Sequence, residues 1–283
     1  MATLSAYLAI SFEAISFALV FPMSNLIAER LYPSGNSLWA MVMNFSMVVG
    51  QLLSALFWGY FADRWGRRKI ALTSTVACIL MNLSFGLSTN YWWMVSSRFI
   101  LGLACCLSTI SYSLINEIER TSPRANAWVL VYWQVGYVLG NVIGGVFSEV
   151  SGKYPFVVPS LIASSFGVTT LVLSLFFMPE TLTNNTEGKS YFAVLSCSKF
   201  RWNCLAMFAW NMVDIGFQEI VITWLWTGRY QGGLGLNWYE IISILSLSYL
   251  IMFMLEIPVY RILLKYLNIL QITRFHFCVL QAY

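Results

Sequence analysis

Long apolar runs separated by short polar breaks fill this chain, and each run is long enough to cross a hydrocarbon layer about 30 Å thick, which takes roughly 20 helical residues. The densest block of charge, Gly59-Tyr60-Phe61-Ala62-Asp63-Arg64-Trp65-Gly66-Arg67-Arg68-Lys69, lies between two of these runs. It reads as a very short basic loop joining two membrane helices. Backbone that crosses lipid must satisfy its own hydrogen bonds, so the expected fold class is an all-α multi-pass membrane protein. Composition agrees, with 59% hydrophobic and only 10% charged residues, where a soluble domain carries about 25% charge.

Hydrophobicity places spans at 4–27, 38–62, 70–87, 92–115, 125–147 and 156–178, then at 203–226 and 239–264, with a part-span at 273–283. Pro22 falls inside the first span, which membrane helices tolerate when a neighbour takes the freed carbonyl. The expected organisation is an N-terminal six-helix bundle over 1–178, a cytoplasmic linker over 179–202 and an incomplete second bundle over 203–283. The short last segment cannot cross a bilayer, so the chain reads as a fragment or a truncated form. With the basic block in the cytoplasm, the N-terminus lies there too. Of the 16 Lys and Arg, 12 then fall on the cytoplasmic side and three on the other, with Arg98 inside the fourth span; this asymmetry is what the positive-inside rule requires.

Several function classes drop out. The net charge of +4 is pinned to short loops and does not form a nucleic-acid face. No phosphate-binding loop is present, so ATP is not expected as the energy source, and no Ser/His, paired-Asp or HExxH constellation points to an enzyme. The six cysteines lack framework or metal-ligand spacing and read as small packing residues, without disulfides, metal or cofactor. No cleavable signal peptide is recognisable, and the sequons at Asn44, Asn82 and Asn184 are expected to stay unmodified because two lie within spans and the third in the linker.

Gly59-x3-Asp63-Arg64-x-Gly66-Arg67-Arg68 resembles the signature loop between helices two and three of the major facilitator superfamily. Arg98-Phe99-Ile100-Leu101-Gly102 is similar to its membrane-embedded arginine motif, and Gly136-x3-Gly140-Asn141-x2-Gly144-Gly145 resembles its antiporter motif, with Asn141 where the family has proline. Met178-Pro179-Glu180-Thr181-Leu182, Gln231-Gly232-Gly233-Leu234-Gly235 and Glu256-Ile257-Pro258-Val259-Tyr260 look like those of plant and fungal zinc-induced-facilitator-like carriers in the drug:proton antiporter group. The resemblance implies a secondary active transporter that moves a small solute by alternating access, with protons as the coupling ion and antiport favoured. The alternative is a truncated or receptor-like membrane protein of the same fold that does not transport.

Residue by residue, the expectations are these. Gly59, Asp63, Arg64, Gly66, Arg67 and Arg68 form a conformational latch, since a topogenic loop needs bases but not an acid or glycines; in the superfamily that latch engages a helix of the second half. Glu13 in the first span, Arg98 in the fourth and Asp214 in the seventh are ionisable groups at depth and so candidates for proton or substrate coupling. Glu13 lies in an apolar setting where a carboxyl exchanges between neutral and charged forms, and its depth argues against a direct pair with Arg98. For Arg98 the plainer alternative is snorkelling to the interface. Glu219 reads as a near-interface acid and Glu256 as structural. Gly136, Gly140 and Gly144 form a smooth face, with Asn141 and Gly145 beside it, either for close packing or for sealing against the other half.

Overall fold

The computed structural model describes residues 2–31, 38–119, 123–148, 154–181, 196 and 198–266. The part-span at 273–283, His276 and most of the linker lie outside them. The described elements are helical: α1 (Ala2–Ala18), α2 (Phe21–Leu31), α3 (Leu38–Trp65), α4 (Arg67–Leu87), α5 (Tyr91–Ala104), α6 (Leu107–Ile118), α7 (Pro123–Val146), α8 (Val157–Phe177), α9 (Ser198–Trp226) and α10 (Trp238–Tyr266), with a single 3₁₀ turn at Arg229–Gln231. Six helical segments are long and apolar enough to cross a membrane, and α9 and α10 add the apolar stretches Ile215–Trp226 and Trp238–Met252.

Two expected spans are each broken in two. The first becomes α1 and α2, with Leu19 and Val20 outside the helices; Pro22 has no N–H to offer the carbonyl of Ala18 four residues earlier, so the ladder lapses there. The fourth becomes α5 and α6, parted at Cys105 and Cys106. The basic block is also not a loop. Helix α3 continues through Asp63, Arg64 and Trp65, α4 starts at Arg67, and Gly66 alone separates them. At φ +100° that residue takes a backbone conformation that favours glycine.

Helix α1 is the centre of the bundle, packed on α7, α8 and α6, while α3 lies along α5 and α4 along α8. Its sequence shows why it can sit there: small and apolar positions such as Ala6, Ala9, Ala14 and Ala18 alternate with buried Ser11, Glu13 and Ser16. In lipid, helix association draws on close packing and interhelical hydrogen bonds more than on apolar burial. Both occur here. Asn82 Nδ2 donates to Ser16 Oγ at 2.8 Å and Ser11 Oγ donates to the Tyr132 carbonyl at 2.8 Å. Large apolar side chains such as Phe57 and Phe176 point outward, where lipid would cover them. Helix α10 packs on α7, and a cluster of Phe21, Ile222, Leu225, Ile241 and Leu245 joins α2, α9 and α10.

Candidate functional site

The two broken spans meet, and each supplies the charge that caps the other. Arg98 on α5 is 1% exposed, so it does not snorkel. Its Nη1 donates to the Ser16 carbonyl at 2.7 Å and its Nη2 to the Phe17 carbonyl at 3.1 Å. Both carbonyls belong to the last turn of α1, where a helix runs out of internal donors and carries partial negative charge. In the other direction, Glu13 on α1, 3% exposed, accepts from the Ser108 N–H at 2.5 Å through Oε2 and from Ser108 Oγ at 3.1 Å through Oε1. Ser108 lies in the first turn of α6, whose free amides carry the positive end of the helix dipole. Gln51 Nε2 on α3 adds a third hydrogen bond to Glu13 at 3.3 Å. Cation on carbonyl end and anion on amide end are the favourable polarities in both cases. Glu13 and Arg98 thus each bind backbone of the other's span.

The third free helix end, that of α5, is served by neutral donors. Ser54 Oγ donates to the Gly102 carbonyl at 3.4 Å, Trp58 Nε1 to that of Leu103 at 2.6 Å and Ser74 Oγ to that of Ala104 at 2.7 Å. Ser74 Oγ also accepts from the Cys106 N–H at 3.3 Å. The break in the fourth span is therefore held open by side chains from α3 and α4, and Cys105 and Cys106 sit buried within it. No proline marks this break in the local sequence, and Gly102, three residues before Cys105, is the one residue there that hints at it.

At one end of the bundle Arg67 makes the most contacts of the expected latch residues. Its guanidinium pairs with Glu117 at the end of α6 and lies 3.8 Å from Asp63 on the preceding turn. Its backbone N–H donates to Glu180 Oε1 at 3.0 Å, so the carboxylate after α8 caps the start of α4. Arg68 Nη2 donates to the Leu175 carbonyl at 2.5 Å near the end of α8, and Arg64 Nη1 donates to the Tyr60 hydroxyl at 2.7 Å. A Cβ on Gly66 would run into the Glu180 carboxylate, whereas one on Gly59 would meet nothing within 4 Å. Among the described residues these contacts draw the ends of the second, fourth and sixth spans together within the N-terminal bundle. Glu117 is a partner that sequence reasoning missed; an acid closing a span on the same side as the basic block is the signal that points to it.

The glycine face divides in two. A Cβ at Gly136, Gly140 or Gly144 would press on the carbonyls of Ser11, Ile15 and Leu19, the Gly140 approach being 2.7 Å. That close packing is against the first span, not against the second half. Gly145, next to it, faces α10: a Cβ there would lie 2.5 Å from Ile242, and Trp238 Nε1 donates to the Gly145 carbonyl at 3.0 Å. Asn141 Nδ2 turns back to the Tyr137 carbonyl at 3.0 Å. Tyr137 in turn donates to Gln218 Oε1 on α9 at 2.5 Å.

Asp214 lies on α9 and Glu256 on α10, with side chains outside the described residues. Glu219 gains a partner that the sequence did not suggest. It is 0% exposed and accepts from Asn44 Nδ2 on α3 at 2.7 Å, so it is interior and joins the two parts of the chain. An open cleft of about 450 Å³, lined by Thr3, Leu4, Tyr7, Glu119, Trp128 and Tyr132, lies where α1, α6 and α7 come together near the start of α1. Tyr7 precedes Glu13 by about 9 Å of helix.

The Major Facilitator Superfamily model matches residues 4–282. Protein ZINC INDUCED FACILITATOR 1 of Arabidopsis thaliana is 28% identical over 275 residues, covering 81% of this chain and 56% of that protein. Multidrug resistance protein MdtG of Serratia proteamaculans is 26% identical over 74% of this chain and 52% of its own length, and Tetracycline resistance protein, class B, of Escherichia coli is 24% identical over 60% and 42%. The chain spans about half the length of the curated relatives it matches. With a signature block at the α3–α4 joint, an embedded arginine and a match along nearly its whole length, the chain belongs to the major facilitator superfamily.

Proposed function

We propose that this chain serves a secondary active transporter that moves a small solute by alternating access with a proton as coupling ion, antiport being favoured. The observation that supports this most is Glu13 on the first turn of α6. An ionised carboxylate there holds two hydrogens of Ser108 and opposes the helix dipole. Once it takes up a proton it loses its charge and part of its acceptor capacity, and its grip on α6 weakens. Arg98 keeps the broken first span anchored meanwhile. The proton thus acts on the joint between two broken spans, and that joint is the element that can take two arrangements.

On this reading the ends gathered around Arg67 lie in the cytoplasm together with the N-terminus, and their ion pairs favour one of the two states. Residues 1–178 act as the first bundle, 179–202 as a linker and 203–283 as the beginning of the second. Asp214 remains a further coupling candidate on α9. Partners are the solute, the proton and the lipid bilayer. The relatives' names supply the probes. The full chain, reconstituted in vesicles, is given tetracycline or Zn²⁺ on one side and a pH gradient in either direction. Probe flux that reverses with the gradient is expected, and flux indifferent to it would sink the coupling.

A further inference from the structure

Glu219 and Asn44 share one hydrogen bond and leave two atoms over. Asn44 Nδ2 donates to Glu219 Oε1 at 2.7 Å, while Glu219 Oε2 and Asn44 Oδ1 are buried with no hydrogen-bond partner among the described residues. Both residues are interior, at 0% and 2% exposure. An ionised carboxylate has only acceptors, so it cannot satisfy the amide oxygen, and no described residue satisfies its own second oxygen. Buried polar atoms of this kind are normally paired. A carboxylic acid set against a primary amide has the complementary pattern: the amide N–H donates to the acid carbonyl and the acid O–H donates to the amide carbonyl. A single proton on Oε2 turns both leftover atoms into one hydrogen bond.

We propose that Glu219 and Asn44 form a proton-binding site that ties the second span to the seventh and is occupied in this conformation. The site rests on the proton-coupled reading of the chain and adds a second position to it. The step is addition of one proton to the Glu219 carboxylate at Oε2, with Asn44 unchanged and no other reactant consumed. Asn44 lies near the start of α3 and Asp63 near its end, 19 residues apart or about 28 Å along the axis. The pair therefore closes the end of the protein opposite the Arg67 cluster. Loss of the proton leaves the Asn44 amide oxygen facing the negatively charged Glu219 carboxylate with no hydrogen between them, which favours parting of α3 and α9 and entry of water at that end.

Other titratable groups on the surrounding elements do not supply the missing donor. Arg30 stands at the exposed end of α2. Asp63 and Arg64 are at the far end of α3. Glu240 on α10 accepts from the Asn237 N–H at 2.7 Å, and Arg229 donates to the Leu234 carbonyl at 3.2 Å in the turn after α9. Asp214, on the same helix as Glu219, has its side chain outside the described residues.

Difference infrared spectroscopy on the full chain in liposomes, stepped from neutral to alkaline pH, reads this proton directly. The wild type should show a protonated-carboxyl stretch at neutral pH that is lost in Glu219→Gln, shifted in Asn44→Ala and kept in Glu13→Gln. A stretch indifferent to both Glu219→Gln and Asn44→Ala would overturn the site. So would a stretch that appears only when sodium is replaced by choline, since a metal cation would then occupy the proton's place. The measurement needs no flux. Gradient-insensitive transport with an intact Glu219 stretch would therefore overturn the coupling and leave this site standing.

Discussion

Arg98 is the residue on which the first span depends. Two carbonyls in the last turn of α1 receive its guanidinium, and charge-assisted bonds of this kind contribute about 1.5 to 3 kcal/mol each. Arg98→Ala should therefore lower stability by on the order of 3 kcal/mol, seen as a clear drop in thermal midpoint in detergent. Arg98→Lys, with one donor head in place of a fork, should fall between Ala and the wild type. Glu13 and Arg98 were both legible in the sequence, because an ionisable side chain in an apolar run marks itself. Their partners were not. Backbone groups carry no residue-type signal, and the break at Cys105 and Cys106 is made by donors on other helices, Ser54, Trp58 and Ser74. The partner of Glu219, Asn44 on another span, was not legible either, because position along α9 alone does not reveal it.

Among the elements, the turn between α3 and α4 is the most tightly specified. Gly66 holds φ +100°, and the room where a Cβ would go is filled by Glu180. Gly66→Ala should cost about 1 to 3 kcal/mol in backbone strain and displace the Glu180 carboxylate from the Arg67 amide. The check is the unfolding midpoint of Gly66→Ala beside Gly59→Ala, where open space predicts a much smaller change; equal losses at the two sites would contradict this. Helix extents were largely legible from hydrophobic run length. Their joints were not: a dense basic block suggests a loop, yet the acid and first arginine complete a helix that runs from Leu38 to Trp65. The smooth glycine face was legible as a packing surface. Which helix it packs on is a tertiary fact, and the answer for Gly136, Gly140 and Gly144 is α1.

At the scale of the molecule, the proposed topology puts the Arg67 cluster in the cytoplasm and the turn after α9 on the opposite side. Cysteines introduced at Arg64 and at Tyr230, the latter fully exposed, should then react with an impermeant thiol reagent from opposite faces of sealed vesicles. Labelling of both from one face would refute that topology. The fold class and the family were legible because lipid leaves so few ways to satisfy a backbone and because the signature residues fall in register within one short stretch. How charge is used inside the bundle was not legible, since it depends on two breaks that place an anion on an amide end and a cation on a carbonyl end. The most direct test of that arrangement as the coupling device is tetracycline or Zn²⁺ flux through the reconstituted full chain under an imposed pH gradient, wild type beside Glu13→Gln. The wild type should be driven by the gradient while Glu13→Gln equilibrates the probe without responding to it. A Glu13→Gln chain that still follows the gradient as the wild type does would contradict the account.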